Sequence, residues 1–202
     1  KMPPNTKLPN GPDGKPITIP VMKNLEDNSQ EFVDQIAEAG VPYLVCANIN
    51  ISTGDEIKKS AEVLQRAGEQ AKKAGVQLAY HNHATEFDAT DGIVSYDYFT
   101  SQISADLLKL ELDLGWVFKA GKNPVDLFKQ HKGRIPLLHV KDMTATGEMV
   151  PFGNGVYDFK ATFNNLDIAG VDYFFLEQDF PQKPFEAIVT SVNNFNKFKK
   201  TL

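Results

Sequence analysis

Four apolar stretches of the chain end in pairs of ionisable residues that stand two positions apart. The pairs are His81 and His83, Glu111 and Asp113, His139 and Lys141, and Glu177 and Asp179. Residues two apart in a β-strand point to the same face, so each pair shares a face if its stretch is a strand. Ionisable groups at the C-terminal ends of parallel strands are typical of the sites of α/β proteins.

One member of each pair recurs at an interval of about one βα repeat, and this spacing predicts a metal site. The four residues are His81, Asp113, His139 and Glu177, which together offer two imidazoles and two carboxylates. Such a set suits Mn²⁺, Fe²⁺, Co²⁺ or Zn²⁺ better than Mg²⁺. Each residue alone also fits a structural role, as a hydrogen-bonded histidine or a helix cap. Four residues in phase on successive strands favour one divalent metal ion.

These groups can meet only if their strands lie side by side, and the segment 108–142 predicts that arrangement. It holds two apolar strands, 108–114 and 135–141, separated by one helix. Asn123-Pro124 opens this helix, where the missing N–H of proline is harmless, and Lys132-Gly133 closes it. The unit is therefore βαβ, and its two strands should be parallel with a right-handed crossover.

The rest of the chain repeats the alternation, so we expect one α/β domain over residues 1–202. The predicted strands are 41–49, 76–83, 108–114, 135–141 and 173–179. The predicted helices are 27–39, 55–74, 96–103, 124–132, 158–169 and 184–200. The proline-rich segment 1–20 and the glycine-containing segment 143–157 are predicted to be loops.

Composition limits the class of partner. The chain of 202 residues has a net charge of −5, which argues against a nucleic-acid partner because phosphate binding needs a basic face. No apolar run approaches the ~20 residues of a membrane span. The single cysteine, Cys46, stands in an apolar run and is predicted to be a core residue. A homo-oligomer stays open, and the localisation is cytoplasmic by default, with a periplasmic one open because the chain does not begin with Met.

Five motifs surround the ionisable residues. They are YHNHATEF (80–87), ELDLGWVFKAG (111–121), PLLHVKDM (136–143), FGNGVYDFKATF (152–163) and FFLEQD (174–179). In this order they resemble the sugar phosphate isomerase/epimerase family, a group of xylose-isomerase-like TIM barrels, from about residue 24 to the C-terminus. The resemblance implies a (β/α)8 barrel with one divalent metal ion at its C-terminal face and a small carbohydrate substrate.

The five predicted strands match the last five of that family, whereas a packed barrel needs about eight. We therefore expect three βα repeats, roughly 70 to 90 residues, to precede Lys1 in the parent protein. Two alternatives are that a partner chain supplies the missing strands, or that the five strands form an open sheet.

The resemblance also implies roles for individual residues. In related ketose epimerases a Glu, an Asp, a His and a second Glu hold the metal, and Asp113, His139 and Glu177 match the last three. His81 stands where those enzymes have the first Glu, which is one of their two acid–base residues. Trp116 stands where they have a substrate-binding His. These two departures leave the substrate and the stereochemical course open.

The chemistry that such a site supports is removal of a proton next to a carbonyl, which gives an enediolate. We expect Glu177 to be the base. Lys141 is expected to stabilise the oxyanion or to hold a phosphate, with pairing to Glu111 as the alternative. His83 would return the proton or bind a hydroxyl, and Glu86 would supply a second carboxylate.

Three further features are candidates for substrate binding. Trp116 is expected to stack on a sugar ring or to pack at the rim, and the carboxylates of Glu86 and Glu111 are expected to contact the substrate. The loop 153–155, Gly-Asn-Gly, could approach the substrate with its backbone amides.

The sequence thus predicts a metal-dependent isomerase or epimerase that acts on a sugar, keto sugar or sugar phosphate. The first alternative is a lyase or hydrolase that eliminates from 3-keto glycosides at the same site. The second is a sugar-binding barrel without turnover. A phosphodiesterase related to the barrel-fold apurinic endonucleases is disfavoured by the acidic charge and by the small number of additional metal ligands.

Overall fold

The computed structural model describes residues 23–202, so the loop predicted for 1–20 lies outside the described residues. A five-stranded parallel sheet forms the centre, as the alternating pattern predicted. Its strands are β1 (Tyr43–Cys46), β2 (Gln77–His81), β3 (Lys109–Asp113), β4 (Leu137–Val140) and β5 (Tyr173–Leu176). They lie in the order of the sequence, and each is parallel to its neighbours.

Helices connect these strands and cover the outside of the sheet. They are α1 (Leu25–Glu38), α2 (Gly54–Lys73), α3 (Ser95–Gln102), α4 (Leu114–Lys119), α5 (Pro124–Gln130), α6 (Phe159–Phe163), α7 (Leu166–Ala169) and α8 (Pro184–Phe198). Side chains cap two of these helices: that of Thr53 accepts from the Glu56 N–H, and that of Asp158 accepts from the Ala161 N–H. The fold is therefore the α/β half-barrel expected from the last five strands of a TIM barrel.

Helix α2 shows how the pattern of small and apolar residues places a helix on the sheet. Ile57, Leu64 and Ala71 recur at helical spacing and are completely buried. Gly68 lies on the same stripe, and a side chain there would meet the carbonyl oxygen of Leu107 at 2.5 Å. Glycine at this position therefore lets the helix approach the chain that leads into β3.

The sheet is curled. At the N-terminal ends of the strands, the Tyr43 hydroxyl of β1 donates a hydrogen bond to Asp172, which precedes β5, at 2.6 Å. The rings of Tyr43 and Tyr173 also meet, with centroids 6.4 Å apart. The two outermost strands thus approach each other, and the side chains of the inner face converge.

The structure departs from the sequence prediction in several connections. The helix predicted for 158–169 is divided into α6 and α7, because Asn165 leaves the helical conformation at φ −122°. The loop predicted for 143–157 contains the antiparallel ribbon Asp142–Met143/Met149–Val150, and a second ribbon joins Ala89–Thr90 to Ile93–Val94. The strand predicted for 41–49 is only Tyr43–Cys46, and helix α4, which was not predicted, follows β3 directly.

Burial divides the molecule into a filled core and an exposed apolar face. Cys46 is buried, as predicted, among the apolar residues that β1–β4 and the helices enclose. The exposed large apolar side chains lie mainly on β5 and α8, among them Tyr173, Phe175, Phe185 and Val189. Within residues 23–202, no helix combines the length and the apolar character needed to cross a membrane.

Candidate active site

The predicted site residues lie together at the C-terminal ends of β2–β5, in layers set by the strand register. His81 on β2 is level with Glu111 on β3, and Asp113, two residues further, is level with His139 on β4. Leu176 is level with Val140, so Glu177 and Lys141 follow at the same height at the outer end of the sheet. The inner layer is buried, whereas the Glu177 side chain is 37% exposed.

Two histidines and two carboxylates form the inner part of the site. The rings of His81 and His139 meet across β3 with centroids 4.7 Å apart. Oε2 of Glu111 lies 3.1 Å from Nδ1 of His81 and 3.4 Å from Nε2 of His139. Oδ2 of Asp113 faces the opposite nitrogens, at 3.8 Å from His81 Nε2 and 4.0 Å from His139 Nδ1. Each imidazole therefore lies between two carboxylates.

This arrangement shifts the pKa values of the groups that share a proton. Burial alone would lower the pKa of His139, but hydrogen bonds to Glu111 and Glu177 outweigh it and raise the pKa to about 9. Burial raises the pKa of Glu111, but the two histidines outweigh it and lower the pKa to about 2. Glu111 is thus ionised at neutral pH.

Glu177, the predicted base, lies between His139 and Lys141. Its Oε2 contacts His139 Nδ1 and lies 3.2 Å from the Lys141 ammonium. The hydrogen bond from His139, opposed by partial burial and assisted by Lys141, lowers the pKa of Glu177 to about 2. The carboxylate is therefore an ionised proton acceptor that is partly open to solvent.

Lys141 is almost fully buried and is surrounded by carboxylates. Its Nζ lies 2.9 Å from Asp113 Oδ2, 3.2 Å from Glu177 Oε2 and 2.9 Å from Asp179 Oδ2. The alternative of pairing with Glu111 is wrong, because Glu111 is level with Leu137, roughly 13 Å along the strand from Lys141. Burial would lower the pKa of Lys141, but these carboxylates raise it above its usual value.

Asp113 is held by contacts that the sequence did not reveal. Its Oδ1 accepts from the Trp116 N–H, and its own N–H donates to the buried side chain of Asn82. Oδ2 lies at ion-pair distance from Lys141 Nζ, at 2.9 Å. Burial, only partly offset by Lys141, raises the pKa of Asp113. A side chain at position 115 would meet Lys141 Cβ at 2.7 Å, so only glycine lets this turn pack against Lys141. A glycine just after a predicted strand is therefore the sequence feature that could have indicated this close contact.

His83 lies at the outer edge of the cluster and is oriented by Glu86. Glu86 is buried, and it accepts hydrogen bonds from the His83 N–H at 2.9 Å and from the Tyr80 hydroxyl at 3.1 Å. Its Oε1 also lies 3.5 Å from His83 Nδ1. Donors of the chain itself therefore occupy the Glu86 carboxylate, and this position suits a residue that orients His83 better than a second base.

Trp116 lies in the first turn of α4 and closes one side of the site. The Lys141 ammonium lies 5.6 Å from its ring centroid, and the His83 ring lies 5.7 Å away. The indole N–H is buried, and among residues 23–202 it has no hydrogen-bond partner. Trp116 thus offers an aromatic face and a free donor beside Lys141, which fits the predicted contact with a substrate.

The glycine loop has a different role from the one expected. Oδ2 of the buried Asp142 accepts the N–H groups of Gly153 at 2.8 Å and of Gly155 at 2.9 Å. A side chain at Gly155 would lie 2.2 Å from Asp142 Oδ1. Both amides are therefore taken up by Asp142, and the suggestion that they approach a substrate is wrong.

Two overlapping groups of side chains in the described part of the chain have the spacing of metal ligands. The first comprises His81, Glu111 and His139, and the second comprises Asp113, His139 and Glu177, with ligand atoms within 4.8 Å of one another in each. Imidazole and carboxylate donors suit a divalent transition metal. Asp113 Oδ2, buried and without a directed hydrogen bond, is the kind of acceptor that a cation would satisfy. The residues therefore fit a metal ion, which would share Asp113 and Glu177 with Lys141.

Curated proteins similar to this chain include dehydratases. An inosose dehydratase of Lacticaseibacillus casei is 28% identical over 158 residues, which is 66% of this chain and 52% of that protein. An inosose dehydratase of Clostridium botulinum is 32% identical over 84 residues, covering 41% of this chain and 27% of that protein. The chain spans about half the length of the first of these curated relatives.

Solved structures share the fold. A sugar phosphate isomerase/epimerase from Parabacteroides distasonis aligns with a TM-score of 0.72 at 26% identity, covering 87% of this chain and 67% of that one. The IOLI protein with a binding zinc atom aligns with a TM-score of 0.65 at 22% identity, covering 83% and 66%, and this likeness shows the fold alone. A family model described as a xylose isomerase-like TIM barrel matches residues 24–196. The resemblance predicted from the motifs is confirmed, and the chain belongs to the xylose isomerase-like TIM barrel family.

Proposed function

We propose that this chain forms the active-site half of a metal-dependent sugar-modifying enzyme that removes a proton next to the carbonyl of a keto sugar or keto polyol. The observation that carries the proposal is the Glu177 carboxylate, ionised and partly open to solvent between His139 and the buried ammonium of Lys141. A base beside a fixed positive charge is the arrangement that enolisation needs, because negative charge develops on the carbonyl oxygen.

Four residues of this chain would have separate roles in the reaction. Glu177 takes the proton from the carbon next to the carbonyl. Lys141, held by Asp113 and Asp179, stabilises the charge on the oxygen. His83, whose Nδ1 faces Glu86, delivers a proton at its other nitrogen, for which the described residues provide no hydrogen bond. Trp116 covers the substrate from the side.

The metal would be held by Asp113, His139 and Glu177, with His81 as the fourth residue within reach. A divalent ion bound to the substrate carbonyl would polarise it and acidify the neighbouring C–H group. Mn²⁺, Zn²⁺, Co²⁺ and Fe²⁺ fit this donor set better than Mg²⁺.

Elimination is the course that the site supports best. Among the carboxylates of the described residues that contact Lys141, Glu177 is the most exposed. The position of a second basic carboxylate in the ketose epimerases is taken by His81, and Glu86 is saturated by its own neighbours. In a dehydration, Glu177 accepts the α-proton, the hydroxyl on the next carbon leaves with a proton from His83, and water and an unsaturated ketone result. The inosose dehydratase relatives favour this course.

Isomerisation or epimerisation is the second candidate. It shares the first step, and the structural neighbour from Parabacteroides distasonis is described as a sugar phosphate isomerase/epimerase. Here His83 would return the proton to carbon or to oxygen instead of releasing a hydroxyl. The product separates the two courses, because only elimination yields water and a conjugated ketone.

To test this proposal, the chain is loaded with Mn²⁺ or Zn²⁺ and incubated with a panel of inososes and keto sugars in D₂O. Deuterium uptake next to the carbonyl is followed by NMR, and products are followed by mass and ultraviolet absorbance. We expect exchange with at least one substrate, and we expect Glu177→Gln to lower it by at least ~10²-fold, the lower range for a general base. A panel without any exchange contradicts the enzyme proposal. Exchange by Glu177→Gln at the parent rate shows that another residue is the base.

A further inference from the structure

Glu111 has a position that the proposed reaction does not explain. It lies on β3 one layer below Asp113, level with His81, and it is only 5% exposed. The sequence suggested that it contacts the substrate, but its carboxylate is directed at two imidazoles instead. A buried carboxylate between two histidines can accept a hydrogen bond from each of them.

Glu111 contacts one ring nitrogen of His81 and one of His139, and these are not the same nitrogen of the imidazole. A single oxygen, Oε2, meets Nδ1 of His81 at 3.1 Å and Nε2 of His139 at 3.4 Å. The remaining nitrogens, Nε2 of His81 and Nδ1 of His139, both face Asp113 Oδ2, and Nδ1 of His139 also contacts Glu177 Oε2. An ionised carboxylate only accepts hydrogen bonds, so Glu111 favours the tautomers that carry hydrogen on its own side. At His139 Nδ1 the proton shared with Glu177 occupies the position that a metal ion would take.

We propose that Glu111 is a positioning residue that fixes both histidines in opposite tautomers, so that His81 binds the metal through Nε2 and His139 through Nδ1. The inference rests on the metal site of the proposed function. A histidine that binds a metal commonly donates its other N–H to a carboxylate, which sets the orientation of the ring and raises its basicity. Here one carboxylate serves two ligands from strands on either side of it.

The arrangement also explains how the site tolerates a histidine at position 81. The buried His81 ring packs against that of His139, and Glu111 supplies both rings with a shared partner from the strand between them. Asp113, on the same face of β3 two residues further, would then be one of the residues that hold the metal. The two acids of β3 therefore have separate tasks.

The first test is the identity of the ligating nitrogens. The chain, labelled with ¹⁵N-histidine and loaded with Zn²⁺, is examined by long-range ¹H–¹⁵N NMR. We expect the remaining ring proton of His81 on Nδ1 and that of His139 on Nε2. The same nitrogen bound in both histidines, or the reverse assignment, overturns the proposal.

The second test uses Glu111→Gln and Glu111→Leu, with His139→Ala as the control for loss of a direct ligand. Both Glu111 variants should bind Co²⁺ ~10–100-fold more weakly in calorimetric titrations, the range for loss of an outer partner of a ligand. At saturation their Co²⁺ absorption bands should match the parent, because the ligand set is unchanged. His139→Ala should lose more affinity and alter the bands.

Three other results would contradict either the role of Glu111 or the proposed function. Unchanged affinity in both Glu111 variants overturns the positioning role. Altered bands with a loss as large as that of His139→Ala would make Glu111 itself a ligand, which also overturns it. If the parent chain binds no metal, the proposed function fails. Glu111 is then tested in the metal-free chain at pH 10, well above the ordinary pKa range of imidazoles, where the parent should keep both tautomers and Glu111→Leu should lose them.

Discussion

Two buried cations, Lys141 and Arg134, are bound in opposite ways. Lys141 contacts three carboxylates at the C-terminal ends of the strands. Arg134, which precedes β4 at the other end of the sheet, donates to three main-chain carbonyl groups of the chain around α3 and β3. Both side chains are at most 8% exposed, so burial alone does not distinguish them.

The two cations differ in the chemistry of the groups that bind them, which are main-chain carbonyls for Arg134 and carboxylates for Lys141. Main-chain carbonyls cannot change their charge and cannot be replaced by a ligand without opening the fold. Carboxylates at the mouth, such as Glu177 and Asp179, can accept a proton, a metal ion or a substrate hydroxyl. A buried cation held by the backbone therefore indicates a structural role, whereas one held by partly exposed acids indicates a site. Three experiments test this contrast.

The largest effect is expected for the structural cation. Arg134→Met leaves the carbonyl oxygens of Leu108, Thr100 and Ile103 without their donor, and each buried acceptor left unpaired costs ~1–3 kcal/mol. We expect the free energy of unfolding in urea to fall by ~3 kcal/mol or more, with unchanged proton exchange per folded molecule. Arg134→Lys is the matched control, and it should recover only part of the loss because an ammonium cannot span three separated acceptors. A stable Arg134→Met variant with impaired exchange would reverse the assignment.

A smaller effect, of another kind, is expected for the site cation. Lys141→Met should lower the rate of proton exchange by ~10²-fold, the typical effect of losing one group that stabilises an oxyanion. Its Zn²⁺ content should stay at the parent level, because Lys141 is not a ligand. In the Zn²⁺-loaded chain, stability should fall less than in Arg134→Met, since Glu177 and Asp179 can turn to water and the buried Asp113 would keep the metal ion as a partner. Loss of stability with parent turnover per folded molecule would make Lys141 structural as well.

The smallest effect concerns His131, which lies beside Arg134. Burial, assisted by the charge of Arg134, lowers the pKa of His131. Below pH ~6.5 the unfolded chain therefore binds a proton that the folded chain does not, so stability falls as the pH falls. Urea unfolding at pH 7.5 and 5.5 should show a loss of at most ~1.4 kcal/mol per pH unit from this group. His131→Phe should remove that part of the slope, and an unchanged slope would contradict the assignment.

Much of the fold follows from local sequence. Thr53 and Asp158 cap their helices through side-chain oxygens, and the apolar stripe of α2 gives the buried face, because these interactions involve residues close in the chain. Helix α4 was missed because Leu114 continues the apolar run of β3. The helix begins there only because Asp113 turns to accept the Trp116 N–H.

Alternation along each strand predicts which residues share a face, and it puts Glu111 with Asp113 and His139 with Lys141. It could not determine which residues meet across strands. In a flat sheet β2 and β4 would lie about 10 Å apart, yet the rings of His81 and His139 meet at 4.7 Å because the sheet curls and both side chains lean inward over β3. Register decided the rest: it carries Lys141 away from Glu111 and into contact with Asp113, Glu177 and Asp179. Curvature and register depend on the packing of the whole sheet against its helices, and only the tertiary structure contains them.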